Sequence, residues 1–90
     1  MNKIGIAAEF LGTLLLVLSI LASGGNALFI GLTLALAIFF TGKISGGHIN
    51  PAVSVAMYVR GRLSAEELAG YILAQCLGGV SSVYLFRALA

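Results

Sequence analysis

Aspartate is absent from this chain, and histidine, cysteine and proline each occur once. Three acidic and five basic residues make up the whole charged complement. A soluble domain carries about a quarter charged residues because its surface faces water. Eight charges among 90 residues cannot cover such a surface, and 60% of the residues are hydrophobic. The mean hydropathy of +1.10 agrees, and the chain is a single membrane-embedded domain. One cysteine, Cys76, excludes an internal disulfide, and its apolar neighbours suggest a small packed hydrophobe. His48 has no second histidine and no aspartate to share a metal with, so neither a metal site nor a cofactor is expected. A nucleophile–base pair is equally hard to assemble, and the chain does not read as an enzyme. Lys3, Lys43, Arg60, Arg62 and Arg87 are scattered, without the basic patch that nucleic acid requires.

The apolar runs are what remains, and they set the architecture. Ile4–Ala22 is long enough to cross a hydrocarbon core of roughly 30 Å. A signal peptide is the alternative, with Asn2-Lys3 before the run and Ala22-Ser23 as a cleavage site. Glu9 inside the run and the further apolar segments favour a span. Ser23-Gly24-Gly25-Asn26 is a short uncharged turn to an antiparallel partner. The second run, Ala27–Thr41, ends at Gly42-Lys43. A third span runs from Ser64 to about Phe86, opened by a capping box in which Ser64 and Glu67 serve each other's amides. The expected fold class is therefore all-α, with spans at about 4–22, 27–42 and 64–86.

Orientation follows from the basic residues. With the N-terminus in the cytoplasm, Lys3, Lys43, Arg60 and Arg62 lie inside and only Arg87 outside, as the positive-inside rule requires. Gly70, Ala74, Gly78 and Ser82 form a smooth stripe on the third span, and Ala8 and Gly12 one on the first. Such faces let helix backbones approach closely in lipid.

Between the second and third spans lies the informative segment, 44–59. Asparagine is a favoured N-cap and proline suits the first helical position, so Asn50-Pro51 starts a helix that Arg60-Gly61-Arg62 stops. Nine residues rise roughly 13 Å, about half the hydrocarbon thickness. A surface helix on the cytoplasmic leaflet is one reading. The other is a re-entrant half-helix, favoured because the basic residues sit at its C-terminal end and not along one face. Re-entry brings Ile44-Ser45-Gly46-Gly47-His48-Ile49 into the membrane as irregular backbone, tolerated only where it is buried or lines a wet cavity. Carbonyl acceptors followed by the Asn50 amide and a helix N-terminus suit a small neutral hydrogen-bonding solute. The positive end of the helix dipole repels cations.

Ala8-Glu9-Phe10-Leu11-Gly12-Thr13, Ser45-Gly46-Gly47-His48-Ile49-Asn50-Pro51-Ala52-Val53 and Ala74-Gln75-Cys76-Leu77-Gly78-Gly79 resemble the aquaporin and aquaglyceroporin family in order and spacing. The resemblance covers nearly the whole chain and corresponds to that family's first repeat. It implies a passive channel for water or small neutral solutes such as glycerol. In it Asn50, with Pro51 and Ala52, meets the solute, and the carbonyls of Gly46, Gly47, His48 and Ile49 line the cytoplasmic half of the pore. Glu9 and Gln75 would brace the loop. The residue-level alternatives are a protonated or snorkelling Glu9 and a generic helix–helix bond from Gln75. The family's filter position on the second span falls on Ile30, where water-selective members carry an aromatic ring, which leaves glycerol-like solutes open. The second repeat, with its own asparagine-proline-alanine motif, does not occur in these residues. The expectation is thus a half-pore that works with a second half, as part of a longer protein, as a split channel or as an inverted homodimer. The charge bias disfavours the homodimer. Full channels of the family form tetramers in the bilayer. The alternative function is a non-conducting membrane scaffold or assembly subunit that keeps the fold.

Overall fold

The computed structural model describes residues 2–90. It is all-helical, with α1 at Lys3–Ser23, α2 at Ala27–Ser45, α3 at Pro51–Val59 and α4 at Ala65–Leu89. Helices α1, α2 and α4 are long and apolar enough to cross a membrane. Each element starts where the sequence supplies a cap. Asn26 accepts the Phe29 amide at 2.9 Å, Asn50 accepts the Ala52 amide at 2.8 Å, and Ser64 and Glu67 form a reciprocal capping box.

Helix α1 is the centre of the bundle, packed on α2 at one side and on α4 at the other, while α3 packs on α4. The α1–α4 contact is close because Gly78 has no side chain: a Cβ there would lie against the Phe10 carbonyl oxygen. The polarity of the molecule is inverted relative to a soluble domain. Leu28, Phe39 and Val59 are 74%, 76% and 78% exposed, whereas Glu9, Ser54 and Ser82 are completely buried. Lipid solvates the apolar faces, so the polar groups must find each other inside.

The short helix neither lies flat nor continues into α4. Ile49, just before it, reaches Gly12, the tenth of the 21 residues of α1. Ser54, in its first turn but one, bonds Gln75, the eleventh of the 25 residues of α4. The amino end of α3 therefore stands at mid-height, and its carboxyl end leads back through Arg60 to the start of α4. This is a re-entrant half-helix beside three spans.

Two expectations need correction. Helix α2 runs three residues past Gly42, so Ile44 and Ser45 are helical and the irregular backbone begins at Gly46. Gly42 is tolerated mid-helix, and the stop is Gly46, whose φ of 94° belongs to the left-handed region. Cys76 is exposed instead of packed, because Gln75 and Gly78 take the face of α4 that meets α1.

Candidate functional site

Glu9 is the point at which three elements and the loop meet. Its position in the middle of an apolar helix would be costly unless every lone pair found a donor. Oε1 accepts from the Ile49 amide at 2.7 Å and from Gln75 Nε2 at 2.8 Å. Oε2 accepts from Ser45 Oγ at 2.6 Å and from the His48 amide at 3.0 Å. Three of these contacts are N–H donors, and the fourth, Ser45 Oγ, also lies 3.3 Å from the Thr41 carbonyl.

The loop is bent to make those bonds. Gly46 and Gly47 have φ of 94° and 64°, and Ile49 has φ of 58°. A β-branched residue in the left-handed region costs on the order of 1–3 kcal/mol and persists only where its surroundings over-determine it. Here the Glu9 bond holds the Ile49 backbone, and burial against Gly12 of α1 holds its side chain, which is 1% exposed. Two consecutive amides, of His48 and Ile49, thus face α1.

Gln75 and Ser54 extend the network beneath the loop. Gln75 Nε2 donates to Ser54 Oγ at 2.8 Å as well as to Glu9. Turning the amide over would set an oxygen against the Glu9 carboxylate, so the network fixes its orientation. The buried Ser54 hydroxyl also lies 2.8 Å from His48 Nδ1, a hydrogen bond whose direction follows the imidazole tautomer. The ring also meets Tyr71 edge-on, with centroids 5.1 Å apart.

His48, Gly46, Ser45, Met57, Arg60, Arg62 and Leu63 line a cleft of about 410 Å³ at the end of the bundle where α2 stops and α4 starts. Asn50 is exposed at the head of α3; its Oδ1 caps the helix, leaving both Nδ2 hydrogens for another acceptor. Pro51 fills the first helical position and Ala52 supplies the capped amide.

The structure brings Glu9, Gln75, Gly46, Gly47, His48, Ile49 and Asn50 together. Ile30 stands apart, the fourth residue of α2, roughly 22 Å along the helix from Ser45. Among the described residues no three metal-ligating side chains gather. Sequence reasoning missed Ser54 and Tyr71. A serine in a short helix and a tyrosine in an apolar run carry no signal of their own until the loop is folded against them.

Residues 2–90 match the family described as major intrinsic protein. Among similar proteins is glycerol uptake facilitator protein-like 6 of Lactiplantibacillus plantarum. It is 44% identical over 81 residues, which cover 81% of this chain and 38% of that one. Aquaporin Z of Brucella melitensis is 39% identical over 104 positions, covering all of this chain and 45% of that one. The chain spans less than half the length of either relative.

Proposed function

Because the chain belongs to the major intrinsic protein family, we propose that it is one half of a passive channel for water or small neutral solutes such as glycerol, conducting when paired with a second half. The observation that carries this is the mid-height junction of the Gly46–Ile49 backbone with the amino end of α3. Glu9 draws the amides of His48 and Ile49 toward α1, which frees the loop carbonyls for the other side, where Asn50 presents its amide. Acceptors followed by a donor exchange hydrogen bonds with a passing hydroxyl. The dipole of α3 disfavours a cation at the same place. Glu9 and Gln75 brace the loop, and Ile30 shapes a separate constriction toward the far end.

A second half supplies what a lone loop lacks. Val55, Tyr58 and Val59 of α3 are exposed, and irregular backbone at mid-depth must be covered by protein or line a wet cavity. The half comes either from the same polypeptide or from another chain, and complete channels associate as tetramers. The N-terminus faces the cytoplasm, with Lys3, Lys43, Arg60 and Arg62 on that side.

Osmotic swelling of lipid vesicles tests the proposal. The chain is reconstituted alone and together with the remaining portion of Brucella melitensis aquaporin Z. Swelling above that of empty vesicles is expected with both parts present, and Asn50→Asp abolishes it while keeping the cap on α3. Swelling indifferent to Asn50→Asp removes the channel reading, and none with either preparation favours a non-conducting scaffold.

A further inference from the structure

We infer that Tyr71 is a positioning residue of the loop: its hydroxyl turns the Ser45 carbonyl toward α4 and its ring sets the place of His48, so that the acceptors open to a solute begin at Gly46. In a regular helix the Ser45 carbonyl would receive the amide four residues on, that of Ile49. That amide is committed to Glu9 Oε1 at 2.7 Å. An orphaned carbonyl at the end of a helix inside a membrane is costly. Tyr71 Oη donates to it at 2.7 Å, from a side chain only 2% exposed.

The bond has a second consequence. The Tyr71 hydroxyl ties the end of α2 directly to α4, beside the link that Glu9 makes between Ser45 and Gln75. The same tyrosine meets the His48 ring edge-on, and Ser54 Oγ lies 2.8 Å from Nδ1. Ser45, Gly46 and His48 line one cleft, so all three groups that Tyr71 and its contacts arrange stand at the mouth of the loop. Phenylalanine would fill the ring's space and lack only the donor.

Whether the arrangement matters to a solute rests on the channel reading; the positioning itself does not. The chain is synthesised with a ¹³C=¹⁸O label at Ser45 and ¹⁵N in His48, its single histidine, and placed in lipid vesicles. In Tyr71→Phe the labelled carbonyl band moves to higher frequency and the His48 ¹⁵N resonances shift. Tyr84→Phe, on the same helix and 64% exposed, changes neither. If Tyr71→Phe does not fold, dipolar recoupling in the unmutated chain decides instead. A short Ser45 carbonyl to Tyr71 Cζ separation is required, and an absent coupling overturns the inference.

In conducting vesicles the ratio of glycerol to water permeability falls by about fivefold in Tyr71→Phe. That is the worth of roughly one net hydrogen bond, because the freed carbonyl retains the solute with more hydroxyls. Vesicles that do not conduct remove the channel reading and leave the spectra to decide on Tyr71. Conduction that Asn50→Asp blocks, with carbonyl, imidazole and ratio all unmoved by Tyr71→Phe, overturns this inference alone. An unmoved ratio beside shifted spectra overturns the consequence for the solute.

Discussion

Ile49 and Glu9 lie 40 residues apart in the chain and are joined by a 2.7 Å bond from the amide of one to Oε1 of the other. The bond holds a β-branched residue at φ 58°, a conformation it would leave if released. Glu9→Gln tests this directly. One side-chain oxygen becomes an NH₂ group facing a backbone amide, that of His48 or of Ile49, so at least one charge-assisted bond is lost. The expected destabilisation is about 1.5–3 kcal/mol. Hydrogen exchange at the His48 and Ile49 amides should accelerate together, ahead of exchange in the middle of α1. Protection that survives in both amides would mean that Glu9 does not hold the loop.

Gly47 is constrained twice. Its φ of 64° disfavours any side chain, and an added Cβ would stand 3.2 Å from Ile38 Cγ2. Gly47→Ala is expected to cost about 1–2 kcal/mol from the left-handed backbone alone, and Gly47→Val more. Thermal unfolding in detergent gives the order wild type, Ala, Val. Swelling in conducting vesicles should fall in the same order, because a shifted carbonyl at Gly47 misaligns the series of acceptors.

Much of this was legible in the residues, and the failures share a cause. Asn50-Pro51 and Ser64-Ala65-Glu66-Glu67 announce helix starts through local chemistry, and both helices begin there. The end of α2 is different. Gly42-Lys43 looks like a stop, yet helical bonds continue to Ser45, because termination waits for Gly46 and for the pull of Glu9 on the two amides beyond. That pull comes from a residue on another helix, invisible to any local pattern. Ser54 and Tyr71 escaped notice for the same reason: each matters through a partner more than fifteen residues away, Gln75 for one and Ser45 for the other. Outward-facing Cys76 shows the limit of composition, since apolar neighbours in lipid do not imply burial.

Two glycines at helix contacts should respond unequally to alanine. At Gly78 the new Cβ meets the Phe10 carbonyl oxygen and the Leu14 amide nitrogen, backbone atoms that move only if α1 and α4 part. At Gly12 it meets Ile49 Cδ1, the end of a side chain that can rotate, although in a tight site. Overpacking costs about 1–3 kcal/mol, with Gly78→Ala expected at the upper end and Gly12→Ala at the lower. Denaturant unfolding in mixed micelles measures both. A Gly12→Ala penalty equal to or above that of Gly78→Ala would show that Ile49 is held as rigidly as backbone.

The placement of basic residues makes an orientation test possible. Asn2 Nδ2 donates to the Ile44 carbonyl at 2.8 Å, which sets the start of α1 beside the end of α2 and puts Lys3 and Lys43 at one end of the bundle. Arg60 and Arg62 join α3 to the start of α4 at that same end, and Arg87 lies in the last turn of α4 at the other. The free, exposed Cys76 must first be replaced by serine so that it does not react. In that background Lys43→Cys and Arg60→Cys should take up a membrane-impermeant maleimide only in inverted vesicles, and Arg87→Cys only in right-side-out ones. Each substitution removes a positive charge, so a single charge lost from the four at the Lys3 end should still leave the bias intact. Equal labelling from both sides would mean that copies insert in both directions. The half-helices of two identical chains could then face each other, and the second half would be another copy of this one.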